Sequence, residues 1–472
     1  MKGGFIMETD ISKHEPVSKI DTAILNKSNR TNSFLWNMNI GFFGVQMAFA
    51  LQSANMSRIF QTIGANPNDI GYFWLAAPLA GMFVQPLVGS LSDRTWTRFG
   101  RRLPWLYIGG LISMIVLILI PNAGNLNLGF GTTASMVFGV LSLLFLDVSS
   151  NMAMQPFKML SGDMVNEGQK EKSYSIMTFV LNMGQVVASI FPLLLTTIGI
   201  SNIAPHGVVP NTVKFSFYFA AATLLICCIY TFFKVHELPP KEYAAFHQIS
   251  EKPNHKHIWE LLKEAPTAFW TTGLVQLFYW AAYMYMATYA TGGIAEKVWH
   301  TTNVASKGFQ EAGNWFGLLS AVSAVVGAFW PLFIAKYPRQ RRSFWAFSLL
   351  MGAVGLGSVF VVTNKYTLIF SFIAFGLAWG ANTVIPFTIL TNSLDGNNIG
   401  TYLGLFNCTI CIPQILANLV GGTIIGWFGG NHGIGNQHWM MLIAGILMVL
   451  AAISVSVVHE TYGEIEKHEN KE

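Results

Sequence analysis

Twelve apolar runs, each long enough to cross a bilayer, fall along the chain in two groups of six. A helical span needs about 20 mainly apolar residues. Such runs stand near 34–56, 70–91, 104–121, 134–160, 173–199 and 213–234, then near 266–292, 313–336, 343–363, 367–391, 401–428 and 438–458. Apolar residues make up 52% and charged residues 11% of the 472-residue sequence, a balance too apolar for a soluble protein of this length. The pattern predicts an all-α membrane protein of twelve transmembrane helices in two six-helix bundles.

The hydrophilic stretch HELPPKEYAAFHQISEKPNHKHIWELLKE separates the groups. The expected organisation is a cytoplasmic N-terminal tail (1–33), an N-terminal bundle (34–235), a cytoplasmic central loop (236–264), a C-terminal bundle (265–458) and a cytoplasmic C-terminal tail (459–472). The loop ends in IWELLKEA, which suits a short interfacial helix. The first 33 residues lack the charged-then-apolar order of a cleaved signal peptide, and Met7 is an alternative start to Met1.

Lysine and arginine in short loops set the orientation. Arg94, Arg98, Arg101 and Arg102 follow span two, Lys170 and Lys172 follow span four, and Lys336, Arg339, Arg341 and Arg342 follow span eight. The loops after spans three and eleven contain neither residue. Both termini are therefore expected in the cytoplasm and the chain in the cell membrane. The formal charge of +5 reflects this inner-face bias, so no nucleic-acid partner is inferred. Cys227 and Cys228 are adjacent in span six, while Cys408 and Cys411 form a CxxC in an apolar helix. Without neighbouring His or carboxylate they read as small buried hydrophobes, so no metal or cofactor is expected. Paired acid-base groups, a nucleophile triad and a metal cluster are all missing from the pattern, which argues against an enzyme.

Asp147 sits in the middle of MVFGVLSLLFLDVSSNMAMQPFKML. An aspartate at the centre of a span costs roughly 2.5 to 3.5 kcal/mol on insertion scales, so an ionisable group there points to transport or proton relay. On a helix Asp147, Asn151, Gln155 and Lys158 line one face, a polar stripe that suits a cavity rather than lipid. Eleven residues at about 1.5 Å rise put Asp147 and Lys158 about 16 Å apart along the axis, too far for an ion pair. Desolvation disfavours the charged form of a carboxyl group, which makes Asp147 the candidate for carrying a proton. The bland alternative is a polar residue bonded to a neighbouring span.

The halves repeat weakly. NMAMQPFKML in span four matches NTVIPFTIL in span ten, placing Asn151 and Asn382 a few residues before a Pro-Phe pair, and Asn182 and Asn407 recur in the next span of each half. Two parallel six-helix repeats with a cavity between them follow from this; the arrangement resembles that of major facilitator transporters. Between spans two and three stands GSLSDRTWTRFGRRLPW. Charge alone would satisfy orientation, but the order Gly, Asp-Arg, then Arg-x-Gly-Arg-Arg resembles the cytoplasmic gating signature of the major facilitator superfamily. Its longer spacing is similar to that of the sucrose/maltose transporter branch, related to the glycoside-pentoside-hexuronide:cation symporters. GVQMAFALQ, WLAAPLAGMFVQPLVGSLSDR, LDVSSNMAMQPFKMLSGD and LGLFNCTICIPQILA extend the resemblance from residue 44 to about 417.

The resemblance implies proton coupling at Asp147 and gating by Asp93, Arg94, Arg98, Gly100, Arg101, Arg102 and Asp163. Lys158 falls where plant members carry an arginine important for sucrose; lysine keeps the charge but loses the planar fork of donors. Span seven, QLFYWAAYMYMATYATGG, lacks the aspartates of plant and animal members, which moves the expected substrate from sucrose alone towards maltose and other alpha-glucosides.

Sugar hydroxyls suit amides and apolar pyranose faces suit aromatic rings. Span eleven offers Asn407, Gln414 and Asn418 beside an expected kink at Pro413; span one offers Gln46, Gln52 and Asn55; span seven offers Gln276, Trp280 and Tyr283. Asn151 and Asn382 join them, with Gln52, Asn151 and Asn407 foremost. Amides also hold membrane helices together, and aromatics also pack or anchor an interface. The expected function is a proton-coupled symporter importing a disaccharide by alternating access. A sodium-coupled glycoside carrier, a sugar exporter and a transporter-like sugar sensor are the alternatives. The expected partners are the disaccharide, the proton or sodium, and the lipid bilayer, with a monomer as the expected unit.

Overall fold

The computed structural model describes residues 30–126, 129–165, 167–205, 207–237, 258–393, 399–428 and 436–458. Both tails and most of the central loop lie outside them. The first half contains α1 (Asn32–Asn39), α2 (Gly41–Thr62), α3 (Pro67–Phe73), α4 (Ala76–Arg94), α5 (Leu103–Leu119), α6 (Thr133–Met164), α7 (Glu167–Thr197) and α8 (Asn211–Lys234). After the short α9 (Ile258–Lys263), the second half contains α10 (Thr267–Val298), α11 (Lys307–Ile334), α12 (Arg341–Ser358), α13 (Thr367–Asn392), α14 (Ile399–Phe406), α15 (Cys408–Trp427) and α16 (Gln437–Ser454).

Local signals start several of these helices. Thr132 accepts from the Ser135 amide and Ser306 from the Phe309 amide, while Asn66 caps α3 with Pro67 in its first turn; each cap satisfies an amide the helix leaves open. Ten helical segments among the described residues are long and apolar enough to cross a membrane. α10, diluted by Thr and Tyr, and α12, which opens on Arg341 and Arg342, stand at the places of spans seven and nine and complete the twelve.

The two halves use one packing scheme. In the first, α2 packs against α6, α7 and α8, α5 against α6 and α8, and α4 against α6. In the second, α10 packs against α13, α15 and α16, α12 against α13 and α16, and α11 against α13. Span by span these are the same pairs, a repeat far clearer in the packing than in the sequence. The halves meet where α7 lies on α11 and α15 lies on α3 and α4, an exchange that is itself two-fold. Large apolar side chains such as Phe83, Ile226, Phe233, Phe329 and Phe370 point outward, as expected where lipid is the solvent.

Two spans differ from their expected course. α6 and α13 run unbroken through Pro156 and Pro386, while span eleven breaks into α14 and α15 at Asn407, ahead of Pro413. Span two is preceded by the separate turn of α3.

Candidate functional site

Asp147 is buried, 1% exposed, on the face of α6 that meets α2. One carboxylate oxygen accepts from the Gln52 amide nitrogen at 2.7 Å, and the other has no hydrogen-bond partner among the described residues. The Gln52 amide oxygen is likewise buried without a partner. One turn on, Asn151 donates to the Asp147 carbonyl at 2.8 Å and accepts from Gln85 of α4 at 2.7 Å. Gln155 lies about 4.0 Å from where a side chain at Gly89 would begin, so the polar stripe turns towards α4 as it descends. Lys158, half-buried, has no hydrogen-bond or ion-pair partner among the described residues.

The corresponding spans of the second half are tied by amides alone. Asn382 of α13 donates to the Gln276 oxygen of α10 at 2.7 Å and accepts from the Trp345 indole of α12 at 3.2 Å. Trp280 and Tyr283 lie one and two turns beyond Gln276, half-buried, in contact with Trp379 of α13.

The other amides expected to meet sugar are placed differently from one another. Gln46 stands against Gly184 of α7 within the first half. Asn55 is buried and donates to its own helix at the Leu51 carbonyl, 3.2 Å. Asn407 occupies the break before α15, its amide 3.7 Å from the Cys411 sulfur. Gln414 is half-buried on α15. Asn418 is buried with its amide nitrogen unpartnered, and its carbonyl is so near Gly71 of α3 that a Cβ there would stand 2.6 Å away.

Hydrogen bonds that join the halves cluster at one end. The Arg58 guanidinium, 1% exposed, donates to Asn202 at 2.8 Å in its own half and to Gln310 at 2.6 Å and Asn314 at 2.9 Å across the seam. Gly313 leaves room for it, since a Cβ there would stand 2.6 Å from the Arg58 Cδ. Ser57 donates to the Ala287 carbonyl at 3.1 Å, and Gln437 donates to Gln61 at 3.0 Å.

The arginine loop lies at the opposite end. Gly100 has φ +112°, a backbone region that glycine adopts without strain. A Cβ there would meet the Glu237 carboxylate at 2.7 Å. That carboxylate accepts from the amides of Arg101, Arg102 and Leu103 at 2.7–2.9 Å, neutralising the open start of α5. Arg102 is buried and donates to Ser92 and the Gly89 carbonyl; Arg101 lies over Trp96, and Arg98, exposed, over Phe99. The side chains of Asp93, Arg94 and Asp163 lie outside the described residues.

The model of the Major Facilitator Superfamily matches residues 38–418. The chain belongs to the Major Facilitator Superfamily. Membership makes it a multi-pass membrane carrier and not an enzyme. Among curated relatives, the sucrose transport protein SUT1 of Oryza sativa subsp. japonica is 23% identical over 88% of this chain and 86% of its own length. The sucrose transport protein SUC4 of Arabidopsis thaliana is 24% identical over 86% and 88%. Among solved structures, the nucleoside transporter NupG superposes with TM-score 0.67 at 15% identity, covering 91% of this chain and 100% of its own. A bacterial homologue of the lysosomal transporter Spinster, solved inward-facing, gives 0.63 at 13%, covering 94% and 98%. These structures share the superfamily fold.

Within the superfamily frame, the packing adds residues the sequence did not single out. Arg58 lies two residues past the expected end of span one, where a charge reads as a boundary. Gln85 lies between apolar residues of α4, and Trp379 is one of several aromatic residues of α13, patterns that packing alone produces. Glu237 stands at the edge of a hydrophilic loop, and its tie to α5 spans more than 130 residues.

Proposed function

We propose that this carrier is a proton-coupled symporter that imports a disaccharide, an alpha-glucoside such as maltose or sucrose, by alternating access. The observation that carries the coupling is Asp147 itself: a buried acid between two spans, served by one amide donor, with its second oxygen unpartnered. An uncompensated buried carboxylate is costly, and a proton completes the site. The sucrose transport proteins among its relatives, each matched over most of its length, support a sugar as cargo.

With the arginine-bearing loops inside and both termini cytoplasmic, the Arg58 cluster closes the outer end. The bundles 34–235 and 265–458 then rock about the α7–α11 and α4–α15 seams. In the outward-open form Asp147 takes a proton and sugar enters; closure seals Arg58 against α11, and opening inward releases sugar and then the proton. Lys158 and the loop from Asp93 to Arg102 line the inner end, where Lys158 meets sugar on its way out. One charge crossing 100 mV carries about 2.3 kcal/mol, enough for roughly fifty-fold accumulation.

Radiolabelled maltose and sucrose uptake into proteoliposomes under imposed pH, sodium and voltage gradients tests the reading. Acceleration by an inward proton gradient is expected. Uptake driven by sodium and indifferent to the proton gradient would sink the proton assignment.

A further inference from the structure

Four rings from two spans form one cluster in the second half. Tyr283 stacks on Trp379 with centroids 5.3 Å apart and planes at 26°; Trp280 stands edge-on to both, at 5.3 and 6.2 Å; Tyr279 meets Trp280 at 5.4 Å and 90°. Trp379 has a built seat, because a Cβ at Gly327 of α11 would stand 2.6 Å from its Cδ1. One turn beyond Tyr283, the Ala287 carbonyl accepts from Ser57 of α2 at 3.1 Å, and Ser57 stands little more than one turn past Gln52, the residue that holds Asp147. The cluster therefore stands against the first half at the level of the acid.

Polar groups beside the rings supply an independent observation. The Tyr279 hydroxyl, the Trp280 indole N–H and the Gln276 amide nitrogen are buried without hydrogen-bond partners among the described residues, and Tyr279 and Gln276 are 0% exposed. Leaving a buried donor unpaired costs about 1–3 kcal/mol. Three together, on residues spaced i, i+3 and i+4 along α10, mark a place where outside acceptors arrive. Gln276 is held by its oxygen to Asn382, so its NH2 is the free end.

We propose that Trp379, with Tyr283 and Trp280, is the platform on which one pyranose ring of the cargo lies, its oxygens accepting from Gln276, Tyr279 and Trp280. The proposal rests on the sugar-carrier reading and deepens it. A glucopyranosyl chair with equatorial hydroxyls presents C–H bonds on its faces and oxygens around its edge. Stacked rings match the faces, and donors set around them match the edge. The platform takes the glucosyl unit, and the rest of the disaccharide extends towards α2 and α6. A glucosyl ring alone, as in methyl α-glucopyranoside, is thus sufficient for binding.

Calorimetric titration of the purified full-length protein with maltose, sucrose and methyl α-glucopyranoside tests this. Trp379→Ala should weaken maltose and methyl α-glucopyranoside alike by roughly tenfold, and Trp379→Phe should stay within about threefold of wild type on the same scale. Gly327→Ala, which pushes the intact tryptophan off its seat, should follow Trp379→Ala. Thermal unfolding of each variant separates lost stacking from lost fold. If Trp379→Ala does not fold, Trp280→Phe, which keeps a ring and deletes the indole N–H, should still weaken both ligands. Wild-type affinity in a folded Trp379→Ala or Gly327→Ala would overturn the platform while leaving the sugar reading intact. Wild-type protein that binds none of the three sugars would instead overturn the sugar reading beneath it.

Discussion

The two halves share a packing scheme and differ in what ties their equivalent spans. In the first half the link between spans one and four ends on a carboxylate, Gln52 to Asp147, with polar atoms left unpartnered on both residues. In the second half the link between spans seven and ten, Asn382 to Gln276, is neutral, and Asn382 is satisfied on both sides. A neutral amide link holds helices together even with the Gln276 nitrogen left over. A link that contains an acid leaves room for a proton. Under the proposed function the difference divides the labour, with coupling in the first half and rings and neutral donors in the second.

Substitutions at the paired positions should break or sharpen this contrast, beginning with the acid. Asp147→Asn keeps the shape and deletes the ionisable group, so accumulation driven by about 100 mV should fall from roughly fifty-fold to parity, read from steady-state labelled sugar in proteoliposomes. Its thermal midpoint should not fall, because Asn can still accept from Gln52. Gln52→Leu removes the donor to Asp147. A hydrogen bond to a charged group is worth about 1.5–3 kcal/mol, so the pH at which uptake is half-maximal should move by roughly one to two units. Asn382→Leu is the counterpart in the second half. It strands Gln276 and Trp345 and should lower stability by about 1–3 kcal/mol in thermal unfolding, while the proton-to-sugar ratio of the remaining uptake is unchanged. An altered ratio would dissolve the division of labour.

Gly100→Ala places a Cβ on Glu237 in a left-handed backbone and should cost about 1–3 kcal/mol of stability, read by unfolding. The smallest effect belongs to Asn182→Ala, whose amide merely returns to the Thr178 carbonyl of its own helix at 2.9 Å. It should stay within about 0.5 kcal/mol of wild type and transport normally.

Reading the sequence found each span because about 20 apolar residues in a row have one solution in a bilayer. It placed Asp147, Asn151, Gln155 and Lys158 on one face because that follows from 3.6 residues per turn. Contacts across helices were not legible. Gln52 and Asp147 are 95 positions apart, and an amide on span one looks the same whether it meets sugar, a carboxylate or its own carbonyl, as Asn55 does. Arg58 was hidden by its position at a span's edge, and its three acceptors come from a loop and another half. The break at Asn407 was missed because Pro413, the stronger local signal, is accommodated inside α15.

The most direct test of the central claim follows proton and sugar together. Proteoliposomes in weak buffer receive maltose or sucrose while external pH is recorded. The wild-type carrier should alkalinise the medium as sugar enters. Asp147→Asn should show no pH change yet still exchange labelled for unlabelled sugar. Proton uptake that persists in Asp147→Asn, or sugar entry by the wild type without any proton movement, would contradict the account.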